Sequence, residues 1–187
     1  MATIEYQING YTLVNDTKVE TIARVSMPYS AENMERARQQ AVGEITVLDL
    51  TQEDVISAMS SACNAAIVGG VDVTLGDGTT SHYSLTTEDQ INLMSLQSMV
   101  AAGAETVPYH ADGEACRYYT AEEFNIIAQA ATSWVLYHQS YFNSLKQYIR
   151  ALKTPEALET VTYGMEIPAA YRTEVLSQIM SQMEGDA

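Results

Sequence analysis

The sequence predicts an α+β fold: a small N-terminal β-meander with helices, then two β-hairpins packed on a helical part with one long helix over about 121–152. Three observations carry this. β-Branched and aromatic residues alternate with polar ones through the first 28 positions. Two Asp-Gly turn signals, Asp77-Gly78 and Asp112-Gly113, each lie between short alternating runs. From Ala121 to Leu152 the chain has neither Pro nor Gly, and apolar residues return every seven positions. Two modules are expected, a small α+β module over 1–68 and a hairpin-plus-helix domain over 69–187, joined at the "VGG" that ends at Gly70.

In "TIEYQINGYTLV" the Asn9-Gly10 pair predicts a type I′ hairpin that places Ile8 opposite Tyr11 and Tyr6 opposite Leu13, with "KVETIARVSM" as a third strand. "PYSAENMERARQQAVG" reads as a helix capped by Ser30 and stopped at Gly43. "EITVLDL" is a further strand. "TQED", Thr51 to Asp54, is a capping box for a helix that carries Val55, Ile56, Met59, Cys63 and Ile67 on one stripe. That stripe buries Cys63, which makes it a small hydrophobe and not a reactive thiol.

The hairpin in "VDVTLGDGTTSHYSL" has two registers to weigh. A two-residue loop would mix polar and apolar side chains. A three-residue loop with Gly78 in the left-handed position puts Val71, Val73 and Leu75 beside Ser81, Tyr83 and Leu85, and turns His82 outward. The glycines of this loop lack the spacing and the Lys of a phosphate loop. "SLTTEDQINLMSLQSMVAAG" follows as a helix with its cap at Thr86 or Thr87 and its stop at Gly103. Ile91, Leu93, Met94, Leu96, Met99 and Val100 cover too wide an arc for one solvated helix, so a second layer or a partner chain is expected against it.

"VPYHADGEACRYYTAEEF" gathers His110, Glu114 and Cys116 within seven residues. A three-residue loop around Gly113 would put all three on one face, whereas a two-residue loop would separate His110 from Cys116. Structural zinc normally takes four ligands and catalytic zinc three, and the chain has no CxxC or HxxxH to complete either. A Cys-His nucleophile needs a lowered thiol pKa, which acidic surroundings oppose. The segment therefore reads as strand, turn, strand and a Thr120/Glu123 capping box, with no catalytic residue, metal ligand or cofactor site assigned.

The long helix is the spine of the second half, roughly 45 Å at about 1.5 Å per residue. Phe124, Ala131, His138, Leu145 and Leu152 mark its heptad, with Ile127/Ala128, Trp134/Val135, Tyr141/Phe142 and Tyr148/Ile149 between them. His138 is expected as a core histidine or a register-setting contact. Trp134, Tyr137, Tyr141 and Tyr148 form the candidate partner interface, aromatic residues with one apolar and one polar end. A short helix from Pro155 and an amphipathic helix in "YRTEVLSQIMSQM" complete the chain, and "EGDA" should fray.

Composition narrows the function classes. The 187 residues are 47% hydrophobic and 18% charged, enough for a packed core. With 24 acidic and 9 basic residues the net charge is −15, a field that repels phosphate backbones and anionic membranes. Nucleic acid and membrane are thus excluded as expected partners. Two cysteines make no disulfide framework, and no signal peptide is read at the N-terminus, so a reducing cytosol is expected.

The segments "ACNAAI..G.DVTL.DGT..HYSLT.EDQINL", "VPYHADGE.CRYYTAEEF", "H..YFNSLK.YI" and "VTYGMEIP", in that order from about Ser60, resemble a phage- and prophage-encoded family of unknown function. Its members occur in tail and tail-fibre gene neighbourhoods of viruses of gut bacteria. The "MPYSAENMERARQQA" stretch is similar to a helix start of other small phage tail-region proteins. The resemblance implies a virion component or a tail assembly factor in the bacterial cytoplasm, and it supplies no active site or cofactor.

The expectation is a non-enzymatic assembly chaperone or adaptor that contacts a tail or fibre protein, with a homo-oligomer open to it. The alternative is a phage protein that sequesters a small host signalling ligand, with Arg117, Arg150 and Lys153 lining a pocket and Tyr118 or Tyr119 stacking on a base. A hydrolase using His110, Glu114 and Cys116 stands third.

Overall fold

The computed structural model describes residues 2–15 and 17–185, and the architecture is α+β. Of the expected fraying tail, residues 186 and 187 lie outside the described residues. Contacts divide the chain into two compact units, residues 1–56 with 149–162, and residues 57–148 with 163–187.

In the first unit, β1 (Thr3–Val14) and β2 (Thr17–Pro28) form one long antiparallel hairpin, and β3 (Thr46–Leu48) adds to the other edge of β1. The tight turn expected at Asn9-Gly10 is absent. Those residues run on as strand, Ile8 faces Ala23 and Tyr6 faces Val25, and the chain reverses between Val14 and Thr17. Asn15 takes a positive φ of 49° there. Two unbroken twelve-residue strands satisfy far more backbone groups than a short hairpin at Asn9 would, so the ladder overrides the local turn propensity. Gly10 has a different use: a Cβ on it would lie 3.2 Å from Thr21 Oγ1.

The register puts Ile4 and Tyr6 inside, where Met27, Val25 and Ile45 pack beside them. The same alternation leaves Tyr11 and Leu13 exposed, whereas the expected pairing opposite Ile8 and Tyr6 would have put them on the same face as those two residues. Helix α1 (Ala31–Gln40) closes this core with Ala37. Ser30 caps it by accepting the Asn33 N–H at 3.0 Å. The helix stops at Gln40, before the expected Gly43, which lies two residues beyond the Ala41 cap with φ at 90°.

Helix α2 (Gln52–Gly69) starts at the predicted capping box. Asp54 accepts the Thr51 N–H at 2.9 Å, and Thr51 Oγ1 accepts the Asp54 N–H at 3.2 Å. The hairpin β4 (Val71–Thr74) and β5 (Thr80–Tyr83) adopts the three-residue loop, with Val71 opposite Tyr83, Val73 opposite Ser81 and Gly78 at φ 86°. Gly70 precedes it at φ 84°, and a Cβ there would meet the Tyr83 carbonyl oxygen at 2.0 Å, so only glycine fits this joint.

Helix α3 (Thr87–Ala101) opens on a complete Thr86/Asp89 capping box. Hairpin β6 (Thr106–Tyr109) and β7 (Arg117–Thr120) pairs Tyr109 with Arg117, the register of a three-residue loop around Gly113 at φ 74°. Helix α4 (Ala121–Ala151) begins at the Thr120/Glu123 box, where Glu123 accepts the Thr120 N–H at 2.8 Å. The carbonyls of Arg150, in its last turn, and of Leu152, just beyond it, accept from the Gln52 amide at 3.1 and 2.6 Å. Helix α5 (Pro155–Glu159) is capped by Thr154, and α6 (Glu174–Gly185) ends the described chain.

The core of the second unit joins both hairpins to α3 and α4. Tyr83, Leu85, Val107, Tyr119, Phe124 and Ile127 are its largest fully buried side chains. Tyr109 stacks on Tyr83 with ring centroids 6.0 Å apart and meets Phe124 edge-on at 5.8 Å. Burial pushes the Tyr109 phenol up to about 12. Among the described residues no helix is long and apolar enough to cross a membrane.

Candidate functional site

Helix α4 carries no ionised side chain between Glu123 and Lys146, six turns in a chain of net charge −15. Phe124, Ile127, Ala131, Leu145 and Ile149 are buried as the heptad requires. Of the grooves that border α4, one of about 240 Å³ holds the Glu166–Arg172 pair beside Tyr137 and Tyr141, and two are uncharged. Of these two, one, of about 280 Å³, lies between α3 and α4, with Leu85, Leu93, Ala131 and Val135 in its walls and Met94 and Leu136 at its rims. The other, of about 520 Å³, lies between α4 and α6, with Val71, Trp134, Tyr137, Ile179 and Met183 around it. Neither lining contains an Asp, Glu, Lys, Arg or His.

The four aromatic residues singled out by sequence serve α4 in different ways. Trp134 is half-buried, donates its indole N–H to the Ala66 carbonyl at 3.0 Å, and offers an edge to the second groove. Tyr137 is also half-buried and lines that groove. Tyr141 is buried. Its hydroxyl donates to the Met165 carbonyl at 2.8 Å and accepts the Gly164 N–H at 2.9 Å, which ties the segment before α6 to α4. Tyr148 packs on Tyr171 at 5.3 Å.

His138 is in the core as expected, but only half of its hydrogen-bonding capacity is used. Nδ1 is 2.9 Å from the Tyr163 hydroxyl, while the buried Nε2 has no partner among the described residues. The imidazole ring instead has Trp134 and Tyr137 around it at 4.3 and 5.1 Å between centroids. Desolvation lowers its pKa, so the ring is neutral at pH 7. Cys63 is buried beneath it and donates to the His138 carbonyl at 3.4 Å.

The hairpins hold a second polar group of residues. His82 faces outward as predicted, with Nδ1 at 2.6 Å from Asp72 Oδ1 and Nε2 at 2.7 Å from the Gly69 carbonyl. Both partners can only accept, so both ring nitrogens must donate and the ring is an imidazolium. The Asp72 hydrogen bond and then the Gly69 carbonyl raise its pKa. Asp112 accepts from the Ser84 N–H at 3.1 Å and from the Ser84 hydroxyl, which lowers its pKa and links the two hairpins. Sequence reasoning missed this link, since the two residues are 28 positions apart.

The register that allows His110, Glu114 and Cys116 one face is the one adopted, yet the three are not assembled. His110 Nδ1 is 3.1 Å from the Ala111 carbonyl, Glu114 accepts from Ser81 at 2.9 Å, and Cys116 is exposed. Among the described residues no three His, Cys, Asp or Glu are grouped to hold a metal. Of the alternative ligand residues, Arg117 lies over the Tyr119 ring at 3.7 Å with Glu123 at 4.0 Å, and Tyr119 is fully buried. Tyr118 is exposed. Arg150 and Lys153 sit at the end of α4, where Lys153 donates to the Arg150 carbonyl at 3.2 Å.

No curated protein and no solved structure matches the chain. A family described only as a domain of unknown function, DUF4376, matches residues 51–163, from the capping box of α2 to the tyrosine that meets His138. That span holds both hairpins, α3 and the whole of α4 and exceeds half of the chain, so the protein belongs to the DUF4376 family.

Proposed function

We propose that the protein is a non-enzymatic phage tail-associated factor, an assembly chaperone or adaptor that holds a tail-fibre or baseplate polypeptide against α4. The observation that carries this reading is the uncharged groove between α4 and α6, open along the edges of Trp134 and Tyr137. Aromatic edges over an apolar floor, with Gln129, Ser133 and Gln182 as neutral hydrogen-bonding groups, suit an amphipathic segment of another protein. The tail setting rests on the resemblance of the second half of the chain to proteins of tail gene neighbourhoods. The acidic surface outside the groove disfavours nucleic acid and so agrees with a protein partner.

The test is co-expression with the adjacent genes of the same phage, purification of the full chain and native mass spectrometry. A stoichiometric complex with a tail or fibre polypeptide, lost on Tyr137→Lys and kept on Tyr118→Lys, is the expected result. Recovery of the protein free of any tail polypeptide from a lysate of producing cells would remove the proposal.

A further inference from the structure

The groove on the other side of α4 differs in its geometry, and we infer that it is a two-fold contact between copies of this chain. This inference is independent of the tail reading and uses the other side of α4, the two grooves sharing Leu136 between them. Helix α3 has apolar residues on both sides. Leu93, Leu96 and Val100 pack into the core, while Ile91 and Met94 are 57% and 69% exposed on the outer side. Such a helix lies between two layers, and this unit supplies one of them. Across the groove, Leu136 of α4 is 46% exposed.

Three features select a second copy as the other layer. Two chains of charge −15 repel wherever their ionised surfaces meet, so they can approach closely only through a face without charges. Gln90 to Ala101 of α3 and Phe124 to Leu145 of α4 form such a face. A two-fold contact also needs knob and hole on one patch, because each copy presents the same surface. Here Met94 and Leu136 project at the rims of a cleft of about 280 Å³ whose walls are Leu93, Val135 and Ala131. Met94 of one copy can therefore enter the cleft of the other, and the reverse.

The polar groups at the rim fit the same symmetry. Gln97 and Gln139 line the cleft, and an amide is both donor and acceptor, so it can pair with its own image across a two-fold axis. A carboxylate or an ammonium cannot. The unbranched Met94 side chain adapts to the cleft it enters.

The experiment is sedimentation equilibrium of the purified full chain, without phage partners, over a wide concentration range. A species of twice the 20.5 kDa chain mass is expected. Met94→Glu should weaken it on the order of 100-fold or more by placing like charges across the axis. Leu136→Lys should weaken it similarly, and Met183→Glu in the other groove should leave it unchanged. Added salt should strengthen the dimer by screening the mutual repulsion. Should Met94→Glu fail to fold, hydroxyl-radical labelling of the wild type decides: Met94 must be oxidised at high dilution and protected on association, while Met183 stays reactive throughout. A monomer at every concentration, or a dimer indifferent to both substitutions with Met94 reactive in it, overturns the inference. The absence of tail proteins keeps this result separate from the test of the proposed function.

Discussion

Tyr141→Phe removes one oxygen atom and tests how the segment before α6 is held to the long helix. The hydroxyl makes two bonds, to the Met165 carbonyl at 2.8 Å and from the Gly164 N–H at 2.9 Å. Each such bond contributes about 1 kcal/mol net, and a buried group left unpaired costs about 1–3 kcal/mol. Gly164 is exposed, so water replaces the bond to its N–H. The loss therefore falls mainly on the half-buried Met165 carbonyl, and we expect a destabilisation of about 1.5 kcal/mol. For a chain of this length that lowers Tm by roughly 3–6 °C. The assay is urea unfolding followed by fluorescence of Trp134, the single tryptophan and part of the same unit, with Tyr118→Phe as the exposed control. A Tyr141→Phe midpoint equal to that of the control would refute the tether.

Two more substitutions test the hairpin region. Gly70→Ala should cost about 2–4 kcal/mol in urea unfolding, because a positive φ and a backbone clash act together, whereas Gly113→Ala, with a positive φ and open space, should cost about 1 kcal/mol; equal costs would contradict the close approach at Tyr83. His82 gives a pH dependence whose sign follows from a raised folded pKa. Its contribution is fully present below the unfolded value near 6.5 and is lost as pH rises through the folded value. The pair is exposed, so the amount is about 0.5 kcal/mol, visible as a falling midpoint above pH 6.5 in the wild type and absent in His82→Gln. A wild-type midpoint that rises over that range would show that the imidazolium assignment is wrong.

Sequence alone fixed what depends on near neighbours. The caps at Ser30, Thr51, Thr86 and Thr120 are set by side chains three residues from the groups they bond, and all four appear in the structure. The registers of the hairpins that turn at Gly78 and Gly113 follow from requiring one apolar face per strand, and the heptad on α4 from helix period and burial. Segments from about Ser60 to Pro168 carried the resemblance to a family of unknown function, a span close to the 51–163 matched.

What tertiary structure decided depends on long-range pairing. Asn9-Gly10 has the local signature of a turn, yet the partner strand at Thr17–Pro28 keeps it extended, because a ladder of backbone bonds outweighs one dipeptide preference. Likewise the heptad told that Tyr141 faces the interior side of α4, but not that Gly164 and Met165 would meet its hydroxyl. The two grooves are visible only once α3 and α6 are laid beside α4. Their uncharged character was already written in the chain from Phe124 to Leu145, but exposure is a property of what does not pack, and that is decided only when every other element has taken its place.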